Sequence, residues 1–192
     1  MNEMGPANED ARWIERSMSG DTEAFGSLVS KYQNRLYNSM VHFLRDETEA
    51  EDVVQESFVL SFTRLASFRG NSSFYTWLYR IAFNTAISRR RRRRPQVSVE
   101  RDLGEAGSGM GDQGPQPGDR LDADERAGQL HAALNRLNEQ HRMILVLREM
   151  DQLSYEEISE ILDLPIGTVR SRLHRARSQL KEELASYFQQ KK

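Results

Sequence analysis

A basic stretch near the C-terminus carries the side chains best suited to reading DNA. Five basic residues and no acidic ones lie between Ile166 and Lys181. Arginine can bond in pairs to the guanine edge in the major groove, and a threonine at a helix start can approach a phosphate. The candidate DNA-reading residues are therefore Thr168, Arg170, Ser171, His174, Arg175 and Arg177.

The segment before this stretch predicts the helices that hold these residues in place. Ser154 and Glu157 have the spacing of a capping box, which opens a first helix. A break at residues 163–165 separates it from a second helix that begins near Gly167. The pattern predicts a helix-turn-helix that presents arginine, serine and histidine to a groove. The alternative is an ordinary helical hairpin with a solvated basic face, and the agreement of cap, turn and unopposed charge favours DNA binding.

A second group of functional side chains lies in the segment FRGNSSFYTWLYRIAFNTA, residues 68–86. Phe74 and Trp77 fall on an apolar helical stripe and are assigned to the core. The other aromatic rings stand beside basic and amide side chains, a combination that suits the unstacked bases of single-stranded nucleic acid. The candidate residues are Phe68, Arg69, Asn71, Tyr75, Tyr79, Arg80 and Asn84.

Charge is strongly segregated along the chain, although the net charge is only −2. Six acidic residues and no basic ones lie between Asp46 and Glu56, whereas Arg89–Arg94 is a run of six arginines. Local potential decides what a surface attracts. The acidic stretch predicts docking on a basic protein surface, with a match to the helix dipole as the alternative. For the arginine run we expect phosphate contacts, against the alternatives of a solvated charge run or a nuclear-localisation signal.

Helical spacing recurs along the chain, and no segment shows convincing strand alternation. Asp10 and Asp21 are expected to cap the first two helices, and Gly20 to end the first of them. Thr48 and Glu51 have the spacing of a capping box for a third helix. A fourth helix follows a break at residues 69–71 and completes a four-helix domain.

The composition changes after the arginine run. Residues 95–118 contain six glycines and three prolines but few large apolar side chains, which is typical of a flexible linker. The predicted fold is all-α, with one small helical domain at residues 1–94, a flexible linker at 95–123 and a helix-turn-helix domain at 124–192.

The composition also disfavours several classes of function. Without cysteine there is no thiolate nucleophile, no disulfide and no cysteine-based zinc site, and the four histidines lack metal-ligand spacing. Residues 109–114 match GxGxxG, but no strand precedes them and no helix follows. We therefore expect no catalytic residue, no metal and no cofactor. The longest strongly apolar stretch, 143–147, is too short to span a bilayer, and no export signal follows the N-terminus, so we expect a cytoplasmic protein without direct membrane insertion.

Three segments together, DVVQESF, FRGNSSFYTWLYRIAFNTA and LSYEEISEILDLPIGTVRSRLHRAR, resemble the extracytoplasmic-function (ECF) sigma factors of bacterial RNA polymerase, of the sigma-E type. The resemblance covers nearly the whole chain apart from the linker. It implies a sigma-2 and a sigma-4 domain that bind bacterial core RNA polymerase and promoter DNA. By the same resemblance, Asp52, Gln55 and Glu56 dock on the polymerase, residues 68–84 melt and capture the −10 element, and the helix-turn-helix reads the −35 element.

The resemblance further implies an anti-sigma partner, which can hold the protein at the membrane, and a monomer when the chain is free. In the holoenzyme the protein would be associated with the nucleoid. One alternative is a stand-alone helix-turn-helix regulator of duplex operators, which would need neither the aromatic segment nor the acidic one. A second is an enzyme such as an RNA-modifying protein, which would need a catalytic constellation that the sequence does not display.

Overall fold

The computed structural model describes residues 6–93 and 120–190, and every regular element within these ranges is helical. A 3₁₀ turn at Leu65–Ser67 follows the third helix, and a π-helical turn at Val146–Met150 extends the sixth. The helices are α1 Pro6–Met18, α2 Thr22–Leu44, α3 Glu47–Thr63, α4 Phe74–Arg93, α5 Arg120–Arg136, α6 Glu139–Leu145, α7 Tyr155–Leu162 and α8 Ile166–Gln190. The predicted all-α fold is confirmed.

The four helices before the gap are called the N-terminal unit, and the four after it the C-terminal unit. The predicted linker lies outside the described residues, except for 120–123, which belong to α5. The exact domain boundaries stay a prediction. Within the described ranges, no helix is both long enough and apolar enough to cross a membrane.

The junction between α1 and α2 follows the predicted signals. Gly20 ends the first helix with a φ of 97°, a conformation that glycine adopts at low cost. The Asp21 carboxylate accepts hydrogen bonds from the backbone N–H groups of Glu23 and Ala24, each at 3.1 Å. These bonds satisfy helix-end donors that would otherwise lack a partner.

Two other predicted caps are wrong. Asp10 lies inside α1, where its buried carboxylate accepts hydrogen bonds from Lys31 Nζ at 2.6 Å and from the Tyr32 hydroxyl. The third helix begins before Thr48, because the Asp46 side chain caps it by accepting from the Glu49 N–H at 2.8 Å. Asp46 therefore caps α3 in place of the predicted Thr48–Glu51 capping box.

The core of the N-terminal unit is built on the apolar stripe of α2. Leu28, Leu36, Met40 and Phe43 are at most 1% exposed, as their helical spacing predicts. This stripe packs against α3 and α1, and α3 packs in turn against α4. Helix α4 is buried on more than one side, because it also contacts α7 of the C-terminal unit.

The two units share one apolar core. Ile144, Leu147 and Ile158 in the C-terminal unit are fully buried, and their cluster is continuous with that of the N-terminal unit. Helix α4 packs on α7, and α2 packs on α6 and its π-helical turn. The sequence predicted two tethered helical units, and the structure adds that the units lie against each other.

Candidate nucleic-acid interface

Helices α7 and α8 form the predicted helix-turn-helix. The Ser154 Oγ accepts from the Glu157 N–H at 3.2 Å, and the Glu157 carboxylate accepts from the Ser154 N–H at 2.9 Å, so the capping box is confirmed. Asp163 ends α7 in the left-handed conformation with a φ of 52°. The Thr168 N–H then donates to the Pro165 carbonyl at 2.8 Å in the first turn of α8. The turn thus fixes the direction of α8 within the unit.

The outer face of α8 carries the predicted DNA-reading side chains. Val169, Leu173 and Ala176 are at most 1% exposed, and their burial sets the rotation of the helix about its axis. Thr168 is half-buried at the helix start. The side chains left exposed on the opposite face are Arg170, Ser171, His174, Arg175 and Arg177.

The arginines of this face differ in their surroundings. Arg177 is held by Glu149, with its Nη2 at 2.6 Å and its Nε at 2.9 Å from one carboxylate oxygen. The hydrogen bond to Glu149 raises the pKa of Arg177. The guanidinium of Arg170 lies 5.9 Å from the centre of the Tyr155 ring, at the outer limit of a cation–π contact. Part of the charge of Arg177 is therefore compensated within the protein.

A second candidate surface begins in the loop before α4. The Phe68 ring is half-buried and lies 5.3 Å from the Trp77 ring centre. Gly70 takes a φ of 70° in the same loop, and the flanking Arg69 and Asn71 are exposed. Phe68 and Trp77 together form an aromatic platform, although the sequence interpretation had placed Trp77 only in the core.

A groove of about 460 Å³ lies beside this platform, between α3 and α4. Trp77 and Asn84 line it, and the Asn84 side chain is exposed. An aromatic wall, an amide and guanidinium groups in one groove suit an unstacked base and its phosphate. Sequence reasoning missed one of its lining arginines, Arg64, which caps the C-terminal end of α3 and follows the groove residue Leu60 by about one helical turn. Arg92 also lines the groove, and it belongs to the arginine run for which phosphate contacts are predicted.

Tyr75 and Tyr79 do not lie on this platform. They are only 3% and 1% exposed, so the expectation that both rings are accessible is wrong in this conformation. The Tyr75 hydroxyl donates to the Asp151 carboxylate of the C-terminal unit at 2.8 Å. Burial, followed by the charge of Asp151, raises the pKa of both phenols. The helical period turns these two rings toward the face of α4 that the other unit covers.

The acidic side of α7 contacts the polar residues that open α4. The Glu157 carboxylate accepts from the Thr76 hydroxyl at 2.8 Å, and the Glu160 carboxylate accepts from the Ser72 hydroxyl at 3.2 Å. Glu160 also forms a long ion pair with Arg80, at 3.9 Å. Carboxylates of the C-terminal unit therefore engage hydroxyl and guanidinium groups of the candidate strand-binding surface.

The acidic side of α3 carries the third group of predicted residues. Asp52 and Gln55 are exposed, and Glu56 is half-buried. Arg89 from α4 lies between the two acids, with its Nη1 2.8 Å from Asp52 and its Nε 2.7 Å from Glu56. Hydrogen bonds to Asp52 and then to Glu56 raise the pKa of Arg89. The first arginine of the run thus neutralises part of the acidic face.

The rest of the arginine run is divided between internal and exposed positions. Arg90 Nη1 forms an ion pair with Glu139 of the C-terminal unit at 2.7 Å. Arg91 and Arg92 are exposed. The side chain of Arg93 and the whole of Arg94 lie outside the described residues, so the expected phosphate contacts stay a prediction.

The histidines take part in local contacts. The rings of His42 on α2 and His131 on α5 lie 5.3 Å apart, and His141 Nδ1 is 2.7 Å from Gln179 Oε1. Burial, followed by the nearby His131 and Arg142, lowers the pKa of His42. Among the residues that the structure describes, no three metal-binding side chains come together.

Comparison with known proteins agrees with this geometry. Residues 28–96 match the family described as "Sigma-70 region 2", and residues 127–180 match "Sigma-70, region 4". The chain is 40% identical over 182 residues to the RNA polymerase sigma-H factor of Pseudomonas aeruginosa, covering 92% of this chain and 94% of that protein. It is 38% identical over 182 residues to the ECF RNA polymerase sigma-E factor of Haemophilus influenzae, covering 91% and 95%.

A solved structure shows the same fold. The sigma factor RpoE of Bartonella quintana, in complex with the anti-sigma factor NepR, superposes with a TM-score of 0.63 at 25% identity. The match covers 84% of this chain and 96% of that one. With region 2 falling in the N-terminal unit and region 4 in the helix-turn-helix unit, the chain is a sigma factor of the sigma-70 type. Within that class the chain belongs to the ECF sigma factors. It directs bacterial core RNA polymerase to promoters and promotes the initiation of transcription.

Proposed function

We propose that this sigma factor divides promoter selection among the three surfaces described above. The observation that carries the proposal is the rotation of α8, since buried Val169 and Leu173 leave a contiguous face of arginine, serine and histidine exposed. Such a face can enter the major groove of duplex DNA. Arg170, Ser171, His174 and Arg175 contact base edges of the −35 element, while Thr168 and Arg177 contact phosphates.

The −10 element is captured as single-stranded DNA by the N-terminal unit. Phe68 and Trp77 stack an unpaired base, and Asn84 bonds to its edge in the groove between α3 and α4. The cationic and polar residues around the groove hold the neighbouring phosphates: Arg69, Asn71 and Arg80. Tyr75 and Tyr79 join this surface only when the C-terminal unit has moved away, because both rings are buried beneath it.

The acidic face of α3 docks on core polymerase. Asp52 and Gln55 project from it, and Glu56 lies beside them. Charges at the rim of an interface mainly accelerate association and select the correct partner. Because Arg89 occupies part of this face, docking must either displace Arg89 or leave it within the interface.

The proposal also covers the protein's mode of action, its location and its partners. The protein acts by binding and not by catalysis, since holding the melted strand shifts the melting equilibrium without nucleotide hydrolysis. It works in the cytoplasm, on the nucleoid when in holoenzyme, is monomeric when free, and is restrained by an anti-sigma factor that can hold it at the membrane. A solved relative is bound to such a partner. The −10 and polymerase functions are assigned to residues 1–94 and the −35 function to residues 124–192.

The test is reconstitution with bacterial core RNA polymerase. The purified chain is expected to co-elute with core enzyme and to support run-off transcription from defined sites in a promoter library. Core enzyme alone is the control. Failure to associate with core enzyme, or transcripts that start at random, would contradict the proposal. Specific binding of duplex operators in the absence of polymerase would favour a stand-alone regulator.

A further inference from the structure

Asp151 is a carboxylate of the C-terminal unit that is buried in the N-terminal unit. It follows the π-helical turn after α6, and its side chain is only 3% exposed. The groups that receive it lie on α2 and α4. A carboxylate buried at a contact between two units is costly unless its oxygen atoms are bonded there. The burial of Asp151 therefore depends on the groups that bond to its carboxylate.

The receiving groups form an oxyanion socket, defined here as Arg35, Ser39 and Tyr75. Ser39 Oγ lies 2.6 Å from Asp151 Oδ2, and the Tyr75 hydroxyl lies 2.8 Å from Oδ1. Arg35 Nε is 3.4 Å from Oδ1, and Arg35 Nη2 donates to the Asp151 carbonyl. The Arg35 guanidinium also lies 3.9 Å above the centre of the Tyr75 ring. Two hydroxyl donors and a cation thus converge on one carboxylate.

Elsewhere in the contact between the units, two buried polar side chains lack some of their hydrogen bonds. Arg142 is 3% exposed and donates to the Phe43 and Leu137 carbonyls, but its Nε has no hydrogen-bond partner. Burial lowers the pKa of Arg142 to about 10. The Tyr79 hydroxyl is also buried without a partner. Unpaired buried polar groups each cost free energy, so they offset part of the stabilisation that the shared apolar core gives to this contact.

We propose that Asp151 is a latch whose insertion into the oxyanion socket closes the sigma factor over its own DNA-binding surface. Closure buries Tyr75 and Tyr79 and places the α7 carboxylates against Thr76, Ser72 and Arg80. Opening releases all of these groups together. The consequence for DNA rests on the −10 function proposed above, whereas the latch itself does not depend on it.

The latch is tested by comparing matched variants of the full chain. Because the chain has no cysteine, a thiol-reactive spin label will modify only cysteines that are introduced. We choose Ser30→Cys and Ser178→Cys, two exposed positions on α2 and α8. Asp151→Asn should lengthen and broaden the distance between the labels, with the ratio of open to closed molecules rising roughly tenfold or more. Asp163→Asn is the control, because it removes the same charge from an exposed position whose left-handed backbone asparagine tolerates.

Ser39→Ala tests the other half of the socket. It should shift the label distance in the same direction as Asp151→Asn, and the two shifts should not add in the double variant. Ser39→Ala decides the question if Asp151→Asn loses helical content by circular dichroism. An unchanged distance in folded Asp151→Asn, or in Ser39→Ala when that variant has to decide, overturns the latch.

Binding of single-stranded DNA separates the latch from the proposed −10 function. The probe is a fluorescent mixed-sequence oligonucleotide of roughly 15 nucleotides. Asp151→Asn should bind it several-fold more tightly than wild type, since a larger fraction of the protein is binding-competent. If the labels separate but the affinity is unchanged, the latch is supported and the −10 assignment of the buried tyrosines is wrong.

Discussion

The guanidinium of Arg89 spans one turn of α3, bonding to Asp52 at 2.8 Å and reaching the next acid, Glu56, at 2.7 Å. The start of the arginine run therefore competes with any basic partner of the acidic face. Replacing Arg89 should expose that face, whereas neutralising Asp52 should weaken it.

We predict that Arg89→Gln increases the affinity for core RNA polymerase by about two- to fivefold, the range expected for a partly exposed ion pair. Asp52→Asn should decrease it. Fluorescence anisotropy of labelled sigma factor titrated with core enzyme measures both effects. Arg12→Gln, at an exposed arginine of α1, is the control. Equal affinities for wild type and Asp52→Asn would show that the polymerase docks elsewhere.

Arg175→Ala should weaken −35 binding of the holoenzyme by roughly 1–3 kcal/mol and relax base choice at one position. Arg177→Ala should cost less, because Arg177 is already paired with Glu149. Competition binding with a library of −35 duplexes compares the two variants. The assignment is refuted if Arg175→Ala keeps both the affinity and the base preference of wild type.

Asn84→Ala should impair formation of the open complex while −35 duplex binding survives, because Asn84 lines the groove of the N-terminal unit and α8 is untouched. Permanganate footprints of the melted strand report the first effect, and gel-shift titration of the −35 duplex reports the second. Asn34→Ala, at an exposed position of α2, is the control. Normal permanganate reactivity in Asn84→Ala would contradict a role in strand capture.

Ser154→Ala should destabilise the helix-turn-helix by about 1 kcal/mol, since it leaves the Glu157 N–H without its side-chain acceptor. The free energy of unfolding from urea titration measures this loss. Ser178→Ala changes an exposed serine of α8 and should have little effect. A loss in Ser178→Ala as large as in Ser154→Ala would remove the special role of the cap.

Acidification should weaken the packing around His42. The folded protein holds the pKa of His42 below its ordinary value of 6.5, through burial first and then through His131 and Arg142. The unfolded chain therefore binds a proton more readily, and stability falls as the pH drops through the ordinary pKa. Thermal melts at about pH 7.5 and about pH 5.5 should show a smaller difference for His42→Gln than for wild type. Identical differences would exclude His42 as the source.

The sequence predicted the helix-turn-helix well because its determinants are local. The Ser154–Glu157 box and the inward positions Val169 and Leu173 depend only on neighbours within one or two turns. The same holds for the stripe of α2 and for the Gly20–Asp21 junction. Periodicity and capping residues are sufficient to predict the ends and the buried face of a helix when these depend only on that helix.

The burial of Tyr75 and Tyr79 could not be predicted in this way. Helical spacing shows that these rings share a face, but it does not show that a distant unit covers that face. Asp151 lies in a turn without periodicity, more than 100 positions from Ser39, so no local signal pairs them. The Thr48 cap was wrong for a different reason, because Asp46 caps the helix two residues earlier and Thr48 then lies inside it.

Glu157 performs two structural tasks at once, because one carboxylate closes the Ser154 cap and also accepts from Thr76 across the units. Activating mutations are therefore not expected at Glu157, because a substitution that separated the two units would also damage the helix-turn-helix that binds DNA. Gain-of-function alleles should instead accumulate at Asp151 and Ser39, where loss of the contact leaves the reading helices intact.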